Sequence, residues 1–217
     1  IHTVIGNKRG DLLSLSLAAL RAIAPSSRFI GLSATIADPN QLAPWLSPDI
    51  SSVTILAPRI DKDINIEILY PKTQEIPWAG HSAVYAATDI YQMIQQQTTS
   101  LIFVNTRAQA EMLFQALWRI NDDNLRIGLH HGSLDIQQRR KVELAMAGGK
   151  LNAVVATSSL DLGIDWAEID LVIQVGAPKG TSRLIQRIGR AGHSLAKPSN
   201  AVLIPSNRFE IIEALAA

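Results

Sequence analysis

The sequence predicts an α/β protein built on a doubly wound parallel sheet, and three observations carry that reading. From Leu101 onward, short apolar runs alternate with helical stretches of ten or more residues, which is the pattern of βαβ units. The runs are apolar throughout, as in Leu101–Val104, or interrupted only by Gln174, as in Leu171–Val175, so helices should cover both faces of the sheet. Hydrophobic residues make up 47% of the 217, enough to bury a core of that size. Right-handed crossovers then wind the sheet doubly, and ligands of such folds sit off the carboxyl ends of the strands.

The elements follow in order. Leu12 to Ile23 has helical periodicity. Arg28 to Leu32 reads as a short buried strand that ends at Ser33-Ala34-Thr35. Asp38 is an N-cap with Pro39 at the first helical position, leading a helix to about Leu46. Val53 to Leu56 reads as a strand, and Ala57 to Lys62, with Pro58, as a linker. Ile64 to Tyr70 alternates like a strand, Pro71 to Gly80 is irregular, and a long helix runs from about Ser82 to Gln97. Leu101–Val104 is a strand, and Thr106 caps a helix to about Ile120. Leu125 to Leu129 is a strand, and Asp135 caps a helix to about Met146. Further strands are expected at Asn152–Ala156, Leu171–Val175 and Ala201–Ile204, with a short helix from Arg208.

Composition narrows the function classes. The net charge of +1 argues against wholesale electrostatic binding, so an anion site must be a local patch. There is no cysteine, which excludes a disulfide framework or a thiolate metal site and suits a reducing cytoplasm. No apolar run approaches the ~20 residues of a membrane span. The chain opens on Ile1-His2 without Met and reads as a piece of a longer protein.

The local patch is in the last third. Arg183, Arg187 and Arg190 fall at i, i+4 and i+7, which places them on one face of a predicted helix. Leu184, Ile185, Ile188 and Ala191 form its core side. No acidic residue occurs from Leu171 to Phe209. Such a stripe suits phosphate, which guanidinium binds bidentately; a solvated basic face is the plainer alternative. Three strand ends add to it: Asn105-Thr106-Arg107, His130-His131-Gly132-Ser133 and Thr157 to Asp165 all carry hydroxyl residues or glycine at the carboxyl edge. Each turn is also an ordinary capping sequence, so it is their convergence that counts. Asp161 and Asp165 at i, i+4 suit a solvated pair as well as a site. His130 and His131 point to opposite faces if both lie in a strand, which argues against a metal. Trp78 and His81 read as packing residues at the domain entrance, with base stacking the alternative, and Met93, Met112 and Met146 as core filler.

In order, these segments resemble the superfamily 2 DExH helicases of the large helicase-related group. Ile1-His2 is similar to the end of a DEIH box, and Gly6 to Gly10 to the segment after it. Ser33-Ala34-Thr35 resembles motif III, Phe103 to Arg107 motif IV, Thr157 to Asp165 motif V, and Gln186 to His193 motif VI. Pro77 to His81 and His130 to Ser133 resemble the bacterial ligase-associated branch. The resemblance implies two RecA-like domains closing on ATP and Mg²⁺ while moving along nucleic acid. Residues 1–60 would be the C-terminal part of the first domain and 61–217 the complete second. The phosphate loop and the acidic pair, which hold most of the ATP and Mg²⁺ contacts, would lie upstream in the remainder of the chain.

The resemblance assigns roles residue by residue. Arg190 matches the arginine finger, with Arg187 as the second candidate; His193 stands where many relatives have another arginine. Gln186 would touch the nucleotide or motif II, and Gly163 and Asp165 would lie near the nucleotide's ribose or help couple the two sites. Thr106, Arg107, Gly132, Thr157 and Ser158 would hold the strand's phosphates. Ser33 and Thr35 would couple hydrolysis to movement, unless they only cap the following turn. The implied activity is an ATP-dependent 3′-to-5′ DNA helicase tied to repair. Its partners would be single-stranded or partly duplex DNA and a DNA ligase or nuclease, with no membrane and no resident metal of its own. A non-catalytic nucleic-acid-binding module and an RNA helicase remain alternatives, because phosphate contacts do not read the sugar.

Overall fold

The computed structural model describes residues 8–33, 38–57, 63–71, 75–80, 82–161, 168–192 and 198–216. The chain divides into two units, Ile1–Asp61 and Lys62–Ala217. In the first, helix α1 (Lys8–Ile23) is followed by a 3-10 turn, Pro39–Leu42, and the short helix α2 (Ala43–Leu46). Asp38 caps the turn by accepting from the Asn40 amide, as its position before Pro39 predicts. Arg21 donates to the Leu46 carbonyl and lies over the Phe29 ring. The strands expected at Arg28–Leu32 and Val53–Leu56 do not form. A strand needs a neighbour for its ladder, and Ile30, Leu32 and Leu56 stand exposed.

The second unit is one parallel sheet. Its strands are β1 (Ile64–Ile68), β2 (Ser100–Phe103), β3 (Ile127–His130), β4 (Ala153–Ala156), β5 (Leu171–Val175) and β6 (Ser199–Ile204). Their spatial order is β1-β6-β5-β2-β4-β3. Register aligns the carboxyl ends: Phe103 lies opposite Ala156 and Gln174, His130 opposite Ala156, and Ile68 opposite Leu203. Helices α3 (Ala87–Gln95), α4 (Arg107–Arg119), α5 (Ile136–Ala147), α6 (Thr181–Ile188) and α7 (Arg208–Ala216) complete it. The long helix expected at 82–97 begins instead as a 3-10 turn, Val84–Ala86, before α3.

The continuous apolar strands split between two cores. Ile102, Val155 and Ile173 face α3 and α4 through Ile90, Ile94, Leu113 and Leu117. Leu101, Phe103, Val154 and Val172 face the other side, with Met146, Leu184, Ile188 and Ala214. Three apolar expectations fail: Met112, Ile185 and Trp78 are exposed. Helix α6 is short, and only Leu184 and Ile188 of its apolar residues reach the core.

Two caps fix how chain leaves the carboxyl edge. Thr106 and Gln109 form a capping box at α4. Asp135 accepts from the Gln137 amide at α5. Between β5 and β2, Gly176 has φ +80° and sits against Asn105, whose Nδ2 would lie 2.8 Å from an added Cβ. Asn105 Nδ2 donates to the Ala177 carbonyl at 2.9 Å. Only glycine suits that crossing.

Candidate nucleic-acid and nucleotide interface

The carboxyl edge holds the first half of the site. Arg107, the first residue of α4, is exposed, and its Nη1 donates to Ser133 Oγ at 2.8 Å. That bond joins the turn after β2 to the turn after β3. The Thr157 amide donates to the His130 carbonyl at 3.2 Å, which joins the turn after β4 to the same place. Ser158 is exposed and Thr157 half-buried. Thr106 is exposed; its Oγ1 accepts from the Gln109 amide at 3.2 Å, which leaves the hydroxyl proton to donate outward.

Gly132 is exposed, its φ lies outside the left-handed region, and an added Cβ would meet nothing within 4 Å. Neither backbone strain nor packing requires glycine there. A ligand approaching the backbone closely would require it.

Beneath this edge runs a buried relay. His130 Nε2 is 3.0 Å from a Glu143 carboxylate oxygen, and Nδ1 is 2.8 Å from Ser159 Oγ. The carboxylate accepts only, so Nε2 carries a proton, and the single Ser159 hydroxyl proton is within reach of both Nδ1 and the His130 carbonyl, the latter at 3.2 Å. Thr157 Oγ1 in turn donates to Ser159 Oγ at 3.4 Å. Burial holds the His130 pKa below its ordinary value, against the opposing pull of Glu143. His131 is also buried; its Nδ1 accepts from the Ser133 amide, and its Nε2 faces the Glu111 carboxylate at 3.2 Å outside hydrogen-bond alignment. The two histidines therefore orient turns. Among the described residues, no three His, Cys, Asp or Glu side chains are placed to hold a metal ion.

The second half of the site is at α6, and here the stripe reading is corrected. Arg190 is not on the helix: α6 ends at Ile188, and Arg190 lies in the following turn. Nor are the arginines without partners. Asp161, in the turn after β4, supplies what the stretch from Leu171 to Phe209 lacks. Its carboxylate takes Arg187 Nε at 2.8 Å and Nη2 at 3.3 Å, and lies 3.6 Å from Arg183 Nε. Its carbonyl takes Arg190 Nη2 at 2.7 Å. Arg187 Nη1 donates to Gln174 Oε1 at 2.6 Å, and its guanidinium lies 4.5 Å from the Phe103 ring centroid.

Arg187 is 3% exposed with all three nitrogens engaged. It cannot meet a phosphate without abandoning a buried carboxylate, so it fits the fold better than a finger. Arg183 and Arg190 keep exposed or half-exposed side chains. Gln186 Nε2 is buried without a hydrogen-bond partner among the described residues, a donor that a nucleotide or a facing carboxylate would satisfy. Ser33 is exposed in the first unit. Thr35, Gly163, Asp165, His193 and His81 lie outside the described residues.

The sequence underrates Asp161, gives Ser133 and Ser159 no role of their own within their strand-end clusters, and does not mark Glu143 or Gln174. The signal for Asp161 was available: three arginines without a nearby acid need one from elsewhere in the chain.

The chain belongs to the helicase conserved C-terminal domain family, whose match spans residues 85–194. Over 98% of its length it is 36% identical to the ATP-dependent helicase Lhr-Core of Methanocaldococcus jannaschii, covering 25% of that protein. It is 33% identical to the Lhr helicase/probable uracil glycosylase of Mycolicibacterium smegmatis, again over 98% of the chain but 16% of the relative. The chain thus spans a quarter or less of these curated relatives. A solved structure of Mycobacterium smegmatis helicase Lhr bound to ssDNA and AMP-PNP superposes with a TM-score of 0.80 at 35% identity, covering 98% of this chain and 28% of that one. The sheet is accordingly the RecA-like helicase fold, and the group read from the motifs is that of these relatives.

Proposed function

We propose that this chain is the second RecA-like domain, with the tail of the first, of an ATP-dependent DNA helicase or translocase. One observation carries the reading: Asp161 ties the strand-edge turn that begins at Thr157 to Arg187 and Arg190. Two anion-competent regions thus share one buried hinge, as a motor that converts hydrolysis into strand movement requires. At the edge, Arg107, Gly132, Thr106, Thr157 and Ser158 hold backbone phosphates. Arg190 meets the nucleotide's terminal phosphate, where it stabilises charge developing in transfer. Gln186, Gly163 and Asp165 complete the nucleotide side, and Ser33 and Thr35 couple the domains.

The described residues do not fit a Mg²⁺ site by themselves. That ion's ligands, with the phosphate loop, belong to the upstream part of the parent protein. Similarity to a helicase solved with ssDNA supports DNA over RNA, and the ligase-associated motifs support a repair setting with 3′-to-5′ movement and a ligase or nuclease partner.

The purified 217-residue chain is expected to bind single-stranded DNA with marked salt dependence and to hydrolyse no ATP above background. Oligonucleotide titration and a phosphate-release assay check both. DNA-stimulated turnover by this chain, lost in Arg190→Ala, would place the missing ligands within it and contradict the domain assignment.

A further inference from the structure

Trp78 lies outside everything assigned so far. It is 67% exposed, yet it is not a loose side chain. The Arg208 guanidinium sits 4.4 Å from its ring centroid and covers one face. That cation is itself fixed: Nε donates to the Ile76 carbonyl at 3.0 Å and Nη2 to Glu75 at 2.8 Å. The loop is pinned on either side of the indole. The Arg208 amide donates to the Pro77 carbonyl at 3.0 Å, and Asn207 Nδ2 to the Gly80 carbonyl at 3.0 Å. The indole is therefore a rigid plate, backed on one face and open on the other.

Its place is on the strand edge. Residues 75–80 follow β1, and Arg208 opens α7 just after β6. Parallel strands end together, so Trp78 shares the carboxyl edge with Arg107, Gly132 and Thr157. In the order β1-β6-β5-β2-β4-β3, β6 is two strands from β2 and four from β3. At ~4.8 Å per strand that is about 10–19 Å. At ~3.4 Å per nucleotide it corresponds to roughly three to six nucleotides.

The chemistry at the two places is complementary. Arg107, Gly132 and Thr157 offer donors and open backbone, which suit phosphate. The cation at Trp78 is already paired with Glu75, so the plate offers an aromatic face and little net charge, which suits a base. Stacking on such a face is tolerant of sequence, because every base has one.

We propose that Trp78, backed by Arg208, is a stacking platform for a nucleobase of the same single strand whose phosphates the β2, β3 and β4 turns hold. This rests on the strand reading above. The other occupant for an exposed plate is an apolar protein segment, which would also cover Phe209, Ile212 and Leu215, exposed along α7.

The test uses the whole 217-residue chain and labelled oligo-dT of about twelve nucleotides, titrated across a salt series. Trp78→Ala and Trp78→Leu are expected to weaken binding by about 5- to 100-fold, and Trp78→Phe far less. The slope of log affinity against log salt is expected to stay unchanged in all three, because a stacked base releases no counterion. Arg107→Ala is expected to flatten that slope by about one. The Trp78 effect is expected to vanish on oligonucleotides of about two nucleotides, too short to span both places. Leucine keeps the apolar bulk, so a fold held only by packing survives it. If Trp78→Leu binds within twofold while Arg107→Ala flattens the slope, the platform is wrong and the strand edge stands, leaving Trp78 to a protein contact. If the parent chain fails to bind at low salt, the platform and the strand reading both fall.

Discussion

Asp161 does what no residue of the arginine segment can do for itself. It is 8% exposed and receives two N–H groups from Arg187, which is also buried. Removing one partner of such a pair leaves the other charged and desolvated, at a cost of about 3–5 kcal/mol. Asp161→Asn is therefore expected to lower stability by about that amount, read as a fall in the urea midpoint at unchanged slope. A shift below about 1 kcal/mol would mean that Arg187 finds another acceptor. Gly132 is the opposite case. Its backbone is unstrained and its Cβ position open, so Gly132→Ala is expected to change stability by less than about 0.5 kcal/mol while weakening oligonucleotide binding several-fold. Equal affinity in Gly132→Ala, measured by anisotropy, would show that no backbone phosphate approaches there.

At the scale of elements, β3, α5 and the turn after β4 meet at His130 through Glu143 and Ser159. Burial lowers the His130 pKa, with Glu143 pulling the other way and Arg139 and His131 adding to the decrease. The unfolded chain therefore takes up the proton more readily, starting near its ordinary ~6.5. Stability held above that pH is lost as the pH falls through it toward the depressed folded value. Chemical denaturation at pH 7.5 and 5.5 is expected to show a loss that is smaller in His130→Gln. An equal loss in the variant would assign the pH dependence to other groups.

These elements also show what a sequence can and cannot disclose. Leu171–Val175 forms as read, because an apolar run broken only by Gln174 has no other place than a sheet covered on both faces. Thr106 and Asp135 cap as read, because capping is local chemistry. Arg190 was misplaced because α6 stops at Ile188, one residue before Gly189, and helical spacing alone does not mark that stop. Asp161 was underrated for a different reason: it lies 26 residues from Arg187, and periodicity carries no information over that distance. Arg28–Leu32 has an apolar pattern that suits a strand, but its side chains at Ile30 and Leu32 are exposed and the segment takes no strand conformation.

For the whole molecule, the two candidate regions are separate in chemistry and joined in structure. The carboxyl edge presents Arg107, Gly132 and Thr157, and the turn beyond α6 presents Arg190. The fold places both on one unit, Lys62–Ala217, as the proposed grip on a strand and contact with a nucleotide require. The most direct measurement compares Arg190→Ala with the unaltered protein in a longer form that supplies the phosphate loop of the proposed motor. It follows DNA-stimulated ATP turnover and oligonucleotide affinity side by side. The account predicts that kcat falls by roughly 10³-fold or more, within the range for arginine fingers, while affinity for the strand stays within about threefold. Turnover within about threefold of the unaltered protein, or a parallel loss of turnover and binding, would contradict it and return Arg190 to an ordinary basic surface.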